Sequence, residues 1–83
     1  MQFEYKTSGT CSREILFEIE DGKVKNVQYI GGCNGNTQGV AKLANGRKVD
    51  EVISLLKGIR CGFKTTSCPD QLAQALTEAK TKL

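Results

Sequence analysis

Histidine and tryptophan are absent from this chain of 83 residues, proline occurs once, and the aromatics are two tyrosines and three phenylalanines. Without histidine, a tetrahedral metal site has to be all sulfur, or to take a carboxylate or an external ligand. No Cys-x-x-Cys pair occurs either, so the spacing argument for a zinc ribbon does not apply. No apolar run approaches the roughly 20 residues that span a bilayer. The first residues, Met1-Gln2-Phe3-Glu4-Tyr5-Lys6, lack the basic and apolar stretches of a signal peptide. The expectation is therefore a cytoplasmic protein with no membrane partner. The net charge of +3 is spread along the chain rather than clustered, which reads as solvated surface and argues against a nucleic-acid partner. The length gives one domain, residues 1–83, with no room for the large enzymes that handle radicals or nucleotides.

Four cysteines are present, Cys11, Cys33, Cys61 and Cys68. In a cytosolic chain, structural disulfides are rare and several cysteines point to metal binding or catalysis. The fourth is the most informative. Thr66-Ser67-Cys68-Pro69-Asp70 reads as the start of a helix, with Ser67 and Asp70 forming a capping box and Pro69 in the first turn. Leu72, Ala75, Leu76, Ala79 and Leu83 then recur at helical spacing. The amides and dipole of a helix N-terminus favour negative charge, which suits Cys68 to be a thiolate ligand or a reactive sulfur.

Upstream, the pattern is that of strands. Gln2–Lys6 alternates, with Phe3 and Tyr5 on one side, and Arg13–Glu20 places Ile15, Phe17 and Ile19 on one face. Asp21-Gly22 is a two-residue hairpin signal. A third strand, Lys23–Ile30, carries Val27 and Tyr29 on one face but Val24 and Ile30 out of phase; a bulge, or cover on both faces, would explain this. Two further helices are expected. One spans Thr37–Ala44, capped by Asn34 or Asn36 and turning Val40, Ala41, Leu43 and Ala44 inward. The other spans Val49–Lys57 and buries Val49, Val52, Ile53 and Leu56, with Gly58 as its stop. The fold class is α+β: a three-stranded antiparallel sheet with three helices packed on one face.

The spacings Cys11-x21-Cys33, Cys33-x27-Cys61 and Cys61-x6-Cys68 place every cysteine at an element end or in a glycine-bearing loop, not on an apolar face. Three readings stay open on residues alone: one shared thiolate site, unlinked structural cysteines, or a redox pair such as Cys61 with Cys68. Arg13, Arg60 and Lys64 lie near cysteines in sequence, where they would lower a thiol pKa or meet an anion, or serve as plain solvated surface. Asn34-Gly35-Asn36 precedes a helix that could hold a phosphate, but without the lysine and spacing of a P-loop.

Thr66-Ser67-Cys68-Pro69-Asp70, followed by Gln71-Leu72-Ala73, resembles the signature of the TSCPD domain. Gly31-Gly32-Cys33-x-Gly35-Asn36 and Gly58-Ile59-x-Cys61-Gly62 also resemble that family, and the likeness runs from the first strand to the last helix. The resemblance implies a domain found alone in bacteria, and near the C-terminus of adenosylcobalamin-dependent ribonucleotide reductases. It makes Cys11, Cys33, Cys61 and Cys68 the metal or redox positions, with zinc as the expected metal, an iron–sulfur cluster as another outcome, and no cofactor as a third. It also suggests a ribonucleotide reductase or another protein as partner. The implied roles are an accessory or interaction module, or an electron relay in deoxyribonucleotide synthesis through Cys61 and Cys68. Catalysis by the chain alone is not expected. A hairpin, then Gly-Gly-Cys, then helices with a later cysteine, is similar also to iron–sulfur scaffolds of the NifU/IscU type, with Cys33, Cys61 and Cys68 as cluster ligands.

Overall fold

In the computed structural model, residues 1–10, 12–31, 34–60, 62 and 65–82 are described, those at 34–36 by their backbone only. Three strands come first: β1 (Gln2–Lys6), β2 (Ser12–Glu20) and β3 (Lys23–Gly31). They form an antiparallel sheet in the order β1-β2-β3. Helices α1 (Asn34–Ala44), α2 (Val49–Leu56) and α3 (Cys68–Lys80) follow. The chain is thus α+β, with helices packed on the sheet, as the alternation of the strands and the periodicity of the helices require.

The β2–β3 hairpin turns at Asp21 and Gly22, both at positive φ (52° and 74°), the backbone that a two-residue turn demands. The phase conflict in β3 is a bulge. Leu16 pairs with Gln28 but Glu18 pairs with Lys25, so Asn26 and Val27 together face Phe17. Asn26 takes φ 52°, a left-handed backbone that asparagine tolerates better than most residues. The extra residue brings Val24 into the same buried cluster as Val27 and Tyr29. A second irregularity, between Ser12 and Glu14, turns Ser12 onto the buried side of β2 with Ile15, Phe17 and Ile19, while Arg13 faces solvent.

The core lies between this face and the helices. Ile15, Val24, Val52, Leu72 and Leu76 are its largest fully buried side chains. Phe3 of β1 stacks on Phe17 with ring centres 5.4 Å apart. Beyond the hairpin, the link between α1 and α2 folds onto the outer edge of β3. Val24 donates its N–H to the Arg47 carbonyl (2.9 Å), and the Gly46 N–H reaches the Val24 carbonyl (2.7 Å).

Two details of the helices differ from the sequence reading. α1 begins at Asn34 rather than Thr37, so Asn34 and Asn36 lie in its first turn rather than at a cap. Leu43, expected inward, is 69% exposed. The inward stripe of α1 is Thr37, Val40, Ala41 and Ala44, which recur at i, i+3, i+4 and i+7; Leu43 stands about 100° around the helix from Ala44. Val49 and Val52 of α2 are buried and Ile53 and Leu56 pack against the core, as their spacing requires. Leu83 lies outside the described residues. No helix among the described residues is long and apolar enough to cross a membrane.

Candidate functional site at the head of the last helix

Every residue from Thr66 to Ala73 is buried. The first turn of α3 is thus enclosed by protein, and its polar groups must find partners there. Ser67 caps the helix in extended backbone (φ −152°, ψ 170°), its Oγ accepting the Asp70 N–H at 3.1 Å and donating to the Ile59 carbonyl at 2.6 Å. Pro69 occupies the first turn, where no N–H is missed.

The return arm of the expected capping box is not made. The Asp70 carboxylate instead accepts from the Gly58 N–H (2.7 Å), Gln74 Nε2 (2.8 Å) and the Thr66 hydroxyl. Gly58 turns at φ 85° just after α2, and its amide meets the carboxylate. Asp70 therefore fastens the end of α2 to the start of α3. Burial alone would push its carboxyl pKa up. Hydrogen bonds from Thr66, Gly58 and Gln74, with the Arg60 charge, outweigh this and hold it below the ordinary 3.8.

Cys68 opens α3 with 5% of its surface exposed and a free thiol. Its Sγ lies 3.3 Å from the Ser12 hydroxyl, and the Tyr29 hydroxyl donates to its carbonyl at 2.9 Å. Both partners exist because of sheet geometry. The irregularity at the start of β2 turns Ser12 inward, and the bulge in β3 sets Tyr29 on the buried face. Burial, then the neighbouring Cys68, pushes the Tyr29 phenol well above its ordinary value of 10.0, so it stays a neutral donor.

The β1–β2 loop closes over this head. Thr10 Oγ1 lies 3.1 Å from Ser12 Oγ. Gln71 accepts the Ser8 N–H at 3.1 Å and donates to Thr66 Oγ1 at 3.0 Å. Gly9, at φ 74°, passes so close that a Cβ there would stand 3.0 Å from Thr66 Cγ2.

Of the four cysteines singled out from sequence, Cys68 is placed at this head, and Cys11, Cys33 and Cys61 lie outside the described residues. Among the described residues no three His, Cys, Asp or Glu side chains converge. Near each of the other cysteines a described residue, at most two positions away, connects to this head. Ser12, bonded to Cys11, touches Cys68. Gly31, two residues before Cys33, is the register partner of Ser12. Ile59, two residues before Cys61, accepts from Ser67. Sequence reasoning did not find Ser12, Tyr29 or Gln71. Ser12 carried one signal, its position directly after a cysteine, and Gln71 another, its place directly after the Thr66–Asp70 string; Tyr29 depends on strand register and has no local mark.

Thr66-Ser67-Cys68-Pro69-Asp70 lines this head. The family model of the TSCPD domain matches residues 3–80. The chain belongs to the TSCPD domain family. No curated protein and no solved structure matches it. The match spans all three strands, apart from Gln2 of β1, and all three helices.

Proposed function

We propose that this TSCPD domain is a cysteine-ligated metal module, with Cys11, Cys33, Cys61 and Cys68 as thiolate ligands and zinc as the metal. The observation that carries this reading is the meeting of the cysteines' chain neighbours at the head of α3: Ser12 on Cys68, Gly31 on Ser12 and Ile59 on Ser67. Consecutive Cα atoms are about 3.8 Å apart, so one or two steps of chain tether each remaining cysteine to that point. The donor chemistry fits. Four sulfurs with no histidine make the Cys₄ set that closed structural zinc sites use. Bound there, the metal would tie the β1–β2 loop, the end of β3 and the α2–α3 link to one helix. The module would then act through the surface so stabilised, as an accessory or interaction domain in the cytoplasm. A protein such as a ribonucleotide reductase is the suggested partner.

The relay and scaffold readings gain less support. A relay sulfur or a donor of nascent clusters works from an accessible position, and Cys68 is enclosed between Ser12 and the rest of α3.

The test is elemental analysis of protein purified without oxygen or added metal, with a count of titratable thiols. About one zinc per chain, with thiols released only after chelation, is the expected result. Iron with inorganic sulfide would replace this reading by the scaffold. Four freely titrating thiols and no metal would end it. Replacing each cysteine by serine in turn should weaken metal retention at all four positions; turnover of a partner reductase that depends on Cys61 and Cys68 but not on Cys11 would favour the relay.

A further inference from the structure

The sheet has two edges, and the chain treats them differently. The outer edge of β3 is bonded to the 45–49 segment through Arg47, Gly46 and the Asn45 side chain, and α1 packs along it. The outer edge of β1 carries no such cover among the described residues. Its bonding pattern follows from the register. Met1 and Ile19 exchange both N–H···O bonds, at 3.1 and 3.0 Å, so Phe3 with Phe17 and Tyr5 with Ile15 are also bonded pairs. The backbone groups of Gln2, Glu4 and Lys6 consequently point away from β2, and their side chains are exposed.

We infer that a second copy of this chain pairs with that edge, β1 antiparallel to β1, in a two-fold register centred on Tyr5. Only registers that face Gln2, Glu4 and Lys6 with one another use the available groups. Centring on Glu4 would set Glu4 against the partner's Glu4, and like charges directly opposite destabilise a sheet. Centring on Tyr5 sets Glu4 against the partner's Lys6, and Lys6 against the partner's Glu4, at once. Each of these pairs is reciprocally bonded, and each joins opposite charges. Tyr5 then meets the partner's Tyr5 as a non-bonded pair, the geometry in which side chains approach most closely. There is room for it. Beside Tyr5, a cleft of about 430 Å³ opens between β1 and the helices, lined by Lys57, Ala73, Gln74, Thr77 and Glu78. The product is a six-stranded sheet with closed two-fold symmetry, the commonest plan of soluble oligomers.

The pairing is read by sedimentation equilibrium of the purified chain across micromolar concentrations, with circular dichroism as a check on folding. Wild-type protein is expected at twice the monomer mass. Glu4→Lys alone, and Lys6→Glu alone, should each weaken association tenfold or more, and the double exchange should restore it. Glu4→Pro removes an N–H that β2 does not use, so it should give a folded monomer. A monomeric wild type overturns the inference, including one that binds an unrelated extended peptide at β1. So does a dimer that both single exchanges and Glu4→Pro leave intact.

Discussion

Asp70 shows how one side chain decides the shape of the site. It takes three hydrogen bonds, from Gly58, Gln74 and Thr66, while buried at the head of α3. Hydrogen bonds to charged groups contribute about 1.5–3 kcal/mol each, and a buried group left without one costs a similar amount. Asp70→Asn keeps the shape but sets an amide N–H₂ against donors. It should therefore destabilise the domain by about 2–3 kcal/mol in urea denaturation at neutral pH. The pH dependence has a defined sign. The folded carboxyl pKa lies below the unfolded value of 3.8, so its contribution is complete above that value and is lost as pH falls through the folded pKa. The stability difference between wild type and Asp70→Asn should stay constant from neutral pH down to the unfolded value and shrink below it. A difference that is flat down to strongly acidic pH would mean that the carboxylate is not the source. Tyr29→Phe is the companion change. It removes the hydroxyl that bonds the Cys68 carbonyl and should cost about 1 kcal/mol without altering the fold.

Among the elements, legibility followed range. The alternation of Ile15, Phe17 and Ile19, the Asp21-Gly22 turn and the spacing of Leu72, Ala75, Leu76 and Ala79 are local patterns, and each corresponds to an observed strand, turn or helix. The conflict between Val24 and Val27 was also legible as a symptom; only the pairing with β2 shows that Asn26 is where the extra residue is absorbed. Leu43 misled because apolarity alone does not fix direction, and a helix so rich in small and polar residues has little to set its phase. At the site, Ser67 and Cys68 could be placed from the Ser-x-x-Asp spacing, but the partners of Asp70 could not. They come from the Gly58 amide, twelve residues away, and from the Thr66 hydroxyl and Gln74 amide, one turn to either side, so several donors lie within reach of the carboxylate. Two glycine-like positions carry predictions. Asn26→Ala should destabilise by roughly 1–2 kcal/mol, the cost of a left-handed backbone for an ordinary L-residue, while Asn26→Gly should cost less than Asn26→Ala; thermal melts of the two would rank them. Gly9→Ala is worse placed than either. It adds a Cβ at 3.0 Å from Thr66 Cγ2 and holds it at φ 74°, so the β1–β2 loop must lift from the head of α3. In the metal reading, Gly9→Ala should also loosen the metal, because the same loop carries Cys11.

For the whole molecule, size is the governing fact. A chain of 83 residues builds a core of a few large side chains, here Ile15, Val24, Val52, Leu72 and Leu76, filled out by alanines on α3. Cores of this size rarely supply more than about 3–5 kcal/mol by themselves, and small domains commonly add a metal or disulfides. The head of α3 is where such a contribution would do most, since the sheet, the β1–β2 loop and the α2–α3 link all meet there. If the four thiolates hold zinc, stability and occupancy are linked: a metal present at a thousand times its dissociation constant adds about 4 kcal/mol. A domain of this length shifts its Tm by about 4–8 °C per kcal/mol. Stripping the metal from reduced protein with a strong chelator should therefore lower the Tm by roughly 15 °C or more, followed by circular dichroism, and restoring equimolar zinc should reverse the change. The same treatment of a Cys68→Ser variant should move the Tm far less, because the site has already lost a ligand. An equal response in the two proteins would mean that any metal acts elsewhere, and that the head of α3 is held by Asp70, Ser67 and Tyr29 alone.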